Sequence, residues 1–165
     1  MSSALSKQEL YLKEYPLLLS QLKHLAALAR TRDSNVAFIA LFGSVARMDP
    51  GRYSDADVLI LVHGQAQFYA GQPTPGAALL WMAYQADAAN SGDEHRLSGW
   101  PITAVVSDAV ASDLDSDFLR NVARDGMELY RQTGYIPPDI LARLTSWERW
   151  RRRVNKQLAP LLDAS

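Results

Sequence analysis

Two periods of apolar residues divide this chain. Leu18, Leu22, Leu25 and Ala29 recur at spacings of four, three and four, which puts them on one face of a helix. Ahead of them, Ser6-Lys7-Gln8-Glu9 has the form of a capping box, in which hydroxyl and carboxylate satisfy the free amides at a helix start, and Pro16 interrupts the segment between. Val36 to Phe42 is a short apolar run bounded by polar residues and a glycine, the pattern of a buried strand. A helix is expected to start at Ser44 and run to Met48, where Asp49-Pro50-Gly51-Arg52 stops it and reverses the chain. Ala56 to Val62 and Ile102 to Val106 read as the second and third strands. Between them, a loop at 71–76 precedes a helical composition over Ala77 to Ala89, and Asn90 to Gly99 is polar and irregular.

Asp115 to Asp125 predicts a helix with Ser116 as its cap and Gly126 as its stop, and Met127 to Tyr130 adds a short extended piece. Pro137-Pro138-Asp139 is expected to open a last helix. Its apolar stripe is Ile140, Leu144, Trp147, Val154 and Leu158, running until Pro160, while Arg149, Arg151, Arg152, Arg153 and Lys156 crowd the other face.

With 165 residues, 48% of them apolar, the chain can build one ordinary core, and no repeat or low-complexity linker marks a boundary. A single domain over 1–165 is expected, with a motif core at 36–108 and helical extensions at 1–32 and 137–160. A net charge of −1 argues against a protein that coats nucleic acid by bulk electrostatics. The absence of cysteine removes disulfides and thiolate zinc sites. No apolar run reaches the roughly 18 residues needed to span a bilayer, and no signal-peptide core stands at the start, so a cytoplasmic setting without membrane contact is expected.

The chemistry concentrates between residues 41 and 60. One apolar run ends in Gly43-Ser44, and eleven positions after Ser44 a second run opens with Asp55-Ala56-Asp57. Carboxylates two apart on a strand point to one side, so Asp55 and Asp57 can share a cation. Mg²⁺ takes a few carboxylates plus phosphate oxygens and water, which suits such a pair. Gly43 and Ser44 at a strand-to-helix junction can turn backbone amides toward an anion, and Arg47, one turn on, can reach the same phosphates.

In order and spacing, Gly43, Ser44, Arg47, Ser54, Asp55 and Asp57 resemble the Gly-Ser-x-x-Arg and Ser-Asp-x-Asp motifs of the minimal nucleotidyltransferase domain of the DNA polymerase beta superfamily. The likeness is sharp over 36–62 and extends softly to about 130. It implies an α+β fold, a small mixed β-sheet flanked by helices. It further implies transfer of a nucleoside monophosphate from a Mg²⁺-bound nucleoside triphosphate, ATP first among them, to a hydroxyl acceptor. Asp55 and Asp57 would be catalytic and hold metal, while Gly43, Ser44, Arg47 and Ser54 would hold the nucleotide. Some proteins of this fold are antitoxins, so a protein partner is also implied.

One departure stands out. The family's third carboxylate sits on the third strand, where this chain has Ile102-Thr103-Ala104-Val105-Val106. Neither Thr103 nor Ala104 can serve as a base near neutral pH. Asp108, Asp93 and Glu94 are the candidate replacements, and without one the chain reads as a nucleotide-binding regulatory module. His63 and His95 are expected to make surface hydrogen bonds rather than to catalyse. The run from Trp147 to Arg153 could bind nucleic acid by stacking and phosphate pairing. A solvated helix face, or pairing with residues 87–128, which hold nine acidic and three basic side chains, is favoured instead.

Overall fold

A five-stranded mixed sheet in the order β3-β2-β1-β4-β5 organises the chain. The computed structural model describes residues 6–32, 34–50, 55–63, 100 and 102–163. Along the chain these form α1 (Lys7–Leu12), α2 (Tyr15–Arg32), β1 (Val36–Phe42), α3 (Gly43–Ala46) and β2 (Ala56–Val62). Then come β3 (Ile102–Asp108), α4 (Ser116–Asp125), β4 (Met127–Arg131), a 3₁₀ turn (Asp139–Leu141), β5 (Thr145–Ser146) and α5 (Trp147–Asp163). This is the expected α+β architecture of mixed sheet and helices. The helix expected over 77–89 and the second half of the turn expected over Asp49-Pro50-Gly51-Arg52 lie outside the described residues.

β1 and β2 pair antiparallel with Phe42 opposite Asp57 and Val36 opposite Val62, so the chain leaves β1 and re-enters β2 at the same end of the sheet. β2 and β3 run parallel, with Asp57 beside Thr103 and Val62 beside Asp108. Period-two alternation then sorts the side chains. Ile39, Leu41, Val58, Ile60 and Ile102 face one layer with Leu18, Leu22 and Leu25 of α2 and Trp150, Val154 and Leu158 of α5. Phe38, Ala40, Leu59 and Leu61 face the other, against Leu119 and Val122 of α4 and Leu141 of the 3₁₀ turn. Both faces of the sheet are covered, which is why its strands read as continuous apolar runs rather than as alternating ones.

The capping box at Ser6 is formed in both directions, with Glu9 N donating to Ser6 Oγ and Ser6 N donating to Glu9 Oε1, each at 3.1 Å. Pro16 falls in the first turn of α2, where a missing amide hydrogen costs nothing. α4 is capped by Asp115 rather than by Ser116: the Asp115 carboxylate accepts from Phe118 N at 2.7 Å. Gly126 ends α4 as expected, but in an extended conformation (φ −75°). A side chain there would press on the Val122 carbonyl and approach Leu144 Cδ2 to 2.9 Å, so the requirement is room, not a left-handed backbone.

The C-terminal expectation needs correction. Pro137-Pro138-Asp139 opens only the 3₁₀ turn, and α5 starts at Trp147, with Ser146 Oγ accepting from Arg149 N at 3.2 Å. Ile140 and Leu144 therefore pack on the α4 side of the sheet, while the α5 stripe is Trp150, Val154, Leu158 and Leu161 on the opposite side. Pro160 lies inside α5 instead of ending it. Two arginines of α5 make contacts within their own helix: Arg151 Nη2 donates to Glu148 Oε2 at 2.7 Å, and Arg152 Nε to the Glu148 carbonyl at 3.3 Å. His63 makes the expected surface contact, its Nε2 lying 2.7 Å from Gln132 Oε1. Among the described residues no helix is long and apolar enough to cross a membrane.

Candidate active site at the Gly-Ser elbow

Directly after β1 the backbone enters a left-handed conformation at Gly43 (φ 81°), turns into the four-residue α3, and leaves through Met48 in another left-handed conformation (φ 61°). Side chains other than glycine resist such angles, and at Gly43 there is a second constraint. A Cβ built there would lie 2.6 Å from Asp57 Oδ2. The elbow and the Asp57 carboxylate thus meet across the β1–β2 pair, on the α4 side of the sheet where Phe42 packs edge-on against Phe118. Gly43→Ala should force Asp57 out of position as well as strain the backbone. A melting-temperature loss corresponding to about 1–2 kcal/mol, with triphosphate binding lost by calorimetry, is the expected result.

Asp57 is half-buried, and burial pushes its carboxyl above the usual carboxylate range, with the negative charge of Asp55 pushing the same way. Two acids so placed resist being charged together, and a bound cation would relieve both causes at once. Asp55, immediately before β2, accepts a hydrogen bond from Thr103 Oγ1 at 2.9 Å. Thr103 is the β3 residue in register with Asp57, whereas Ala104 packs on the opposite face against the α2 and α5 layer. Thr103, then, occupies the place beside the acid pair.

Asp108 is removed as a replacement acid. It lies five residues further along β3 than Thr103, about 17 Å at strand rise, and on the other face. Its carboxylate is committed to the following turn, accepting from Ser112 Oγ, from Ser112 N at 3.0 Å and from Val110 N at 3.1 Å. The Ser112 hydroxyl contact foremost, then these amide contacts, hold it below the usual carboxylate range. Asp93, Glu94, His95 and Ser54 lie outside the described residues. Ser44 sits partly buried at the start of α3. Arg47, at the end of α3, directs Nη1 to Asp125 Oδ2 at 3.2 Å, and Arg124 Nε shares the same oxygen at 3.0 Å.

The elbow is held from beneath by two residues that the sequence pattern did not single out. The carbonyls of so short a helix point out of its last turn, and those of Gly43, Ser44 and Val45 accept from Arg47 N, Asp49 N and Met48 N. Tyr15 of α2 donates its hydroxyl to the Val45 carbonyl at 2.6 Å, and Trp150 of α5 donates Nε1 to the Ala46 carbonyl at 2.8 Å. Both rings are buried, with centroids 6.3 Å apart. Trp100 completes the group: its ring meets Tyr15 edge-on at 5.3 Å, its Nε1 donates to the Glu14 carbonyl, and its backbone exchanges hydrogen bonds with Gln21. That contact fixes the chain just before β3, and with it the position of Thr103. Tyr15→Phe keeps the ring and removes one of the two hydrogen bonds to the Val45 carbonyl, which also accepts from Met48 N at 3.1 Å. Chemical denaturation should show a loss of about 0.5–1.5 kcal/mol, and an unchanged midpoint would mean that the hydroxyl supports nothing.

Residues 22–127 match the nucleotidyltransferase domain family, and the chain belongs to it. No curated protein sequence matches the chain. Among solved structures, one described as a toxin–antitoxin with AMP-PNP is similar at 16% identity and a TM-score of 0.43, covering 86% of this chain and 95% of that one. A mutant of the MntA–HpeT toxin–antitoxin is similar at 15% identity and a TM-score of 0.39, covering 85% of each chain.

Proposed function

We propose that this nucleotidyltransferase domain binds a Mg²⁺-chelated nucleoside triphosphate, ATP first among them, at the Gly43 elbow and transfers its nucleoside monophosphate to a hydroxyl acceptor. The observation that carries the reading is the 2.6 Å approach between the Gly43 Cβ position and Asp57 Oδ2, which sets an amide-lined turn and a metal-seeking carboxylate against the same small volume. The donor set fits the cation: two carboxylates at one sheet end, one of them driven by burial and by its neighbour toward a partner of opposite charge. Bound there, Mg²⁺ would supply Lewis-acid stabilisation of the triphosphate oxygens.

The remaining roles fall to the chain. Gly43 and Ser44 turn backbone amides and a hydroxyl toward the phosphates, and Ser54, next to Asp55, adds a donor. Arg47 carries the nearest positive charge on α3 and is half-exposed beside its Asp125 contact. Asp55 and Asp57 would hold the cation and so fix the triphosphate, and the acceptor hydroxyl would form its bond to the α-phosphorus as the bond to pyrophosphate breaks, its proton passing to solvent. Thr103 beside the acid pair supports a second reading, a nucleotide-binding regulatory module without turnover, since a neutral hydroxyl is no base. Incubation with α-labelled triphosphates and Mg²⁺ separates the two. Pyrophosphate release with a labelled acceptor supports transfer, binding without product supports the regulatory module, and absence of Mg²⁺-dependent binding defeats both.

A further inference from the structure

Thr103 does more than fail to be a carboxylate. Its hydroxyl donates to Asp55 Oδ2 at 2.9 Å while its backbone stands in register with Asp57, so it belongs to the acid pair without adding charge. One oxygen of Asp55 is thereby taken up by a neutral donor, and the other is left for a cation. Among the described residues no cluster of three acids or histidines could hold a metal, and Asp108 is both remote from the pair and bound to its own turn. Two divalent ions spaced as in phosphoryl-transfer sites repel each other strongly, and carboxylates bridging or flanking them are what offset that repulsion. Among the described residues two charges face the site, which match one such ion.

We infer that Thr103 restricts this site to a single divalent cation, the one that arrives chelated by the triphosphate, and that Thr103 acts as a positioning residue that fixes the orientation of Asp55. The inference rests on the nucleotide-site reading above and adds to it the metal stoichiometry and the residue that sets it. An acid at position 103 would stand on the same face, in register with Asp57, and would complete a second cation position.

The test is a count of bound Mn²⁺ on the full chain saturated with α,β-methylene ATP, read from the loss of the free-ion paramagnetic resonance signal. One Mn²⁺ per chain is expected for the natural sequence and two for Thr103→Asp, the second state showing the dipolar broadening of ions about 3.5–4 Å apart. Thr103→Val should still bind one Mn²⁺, roughly 10-fold more weakly, because Asp55 loses the hydrogen bond that orients it, and Thr103→Ser should restore the affinity. Two ions on the natural chain would overturn the inference and leave nucleotide binding standing. One ion on a folded Thr103→Asp chain, or an unchanged Mn²⁺ affinity in Thr103→Val, would also overturn it. If Thr103→Asp does not fold, the natural chain's count and the Val and Ser affinities decide. A natural chain that takes up neither analogue nor Mn²⁺ would defeat the nucleotide-site reading itself.

Discussion

Asp57→Asn should lower pyrophosphate release by at least about 100-fold and leave the metal-free protein as stable as before, or slightly more so. The two halves of this expectation have one cause. Asp57 is held half-buried beside Gly43 and near Asp55, a setting that disfavours its charge, as its raised pKa records. An amide of the same shape removes that penalty, so the folded state loses nothing. The same change deletes a full ligand charge from a site where no other described carboxylate stands within reach. Turnover assayed with an α-labelled triphosphate and Mg²⁺, beside a melting curve in chelator, measures both. Wild-type turnover in the variant would end the assignment of Asp57. A large drop in melting temperature with lost turnover would reduce Asp57 to a structural residue.

Trp150→Ala should have the largest effect on stability, about 3–5 kcal/mol, or a fall of roughly 6–20 °C in melting temperature for a chain of this size. The indole is 1% exposed, packs against Tyr15 and Trp147, and satisfies the Ala46 carbonyl. Truncation opens a cavity between α2 and α5 and strands that carbonyl. Trp150→Phe separates the contributions. It retains most of the packing and should cost only the hydrogen bond, about 1–3 kcal/mol. Denaturant midpoints within experimental error for all three proteins would show that the ring lies outside the core.

How far the sequence led depended on whether the signal was local. β1 and β2 were legible to the residue because buried strands are short apolar runs with sharp polar edges, and Gly43 with Asp55 and Asp57 fell at those edges. The capping box at Ser6 was likewise a matter of four adjacent residues. Trp150 was read with a basic, solvated run because the start of the last helix was placed at Pro137. From the correct start at Trp147, the spacing Trp150, Val154, Leu158, Leu161 is itself a helical stripe, and Ser146 three residues before Arg149 was the cap that marked it. Thr103 is different in kind. Alternation along β3 cannot say which of Thr103 and Ala104 faces Asp57, since that depends on the register between β2 and β3. Tyr15 was invisible for a similar reason: its partner, the Val45 carbonyl, is a backbone atom thirty residues away.

The paired anchoring of α3 by Tyr15 and Trp150 couples the phosphate-facing turn to helices that flank the motif on either side in the sequence. Damage at those helices would therefore reach ligand affinity together with the core that covers one face of the sheet.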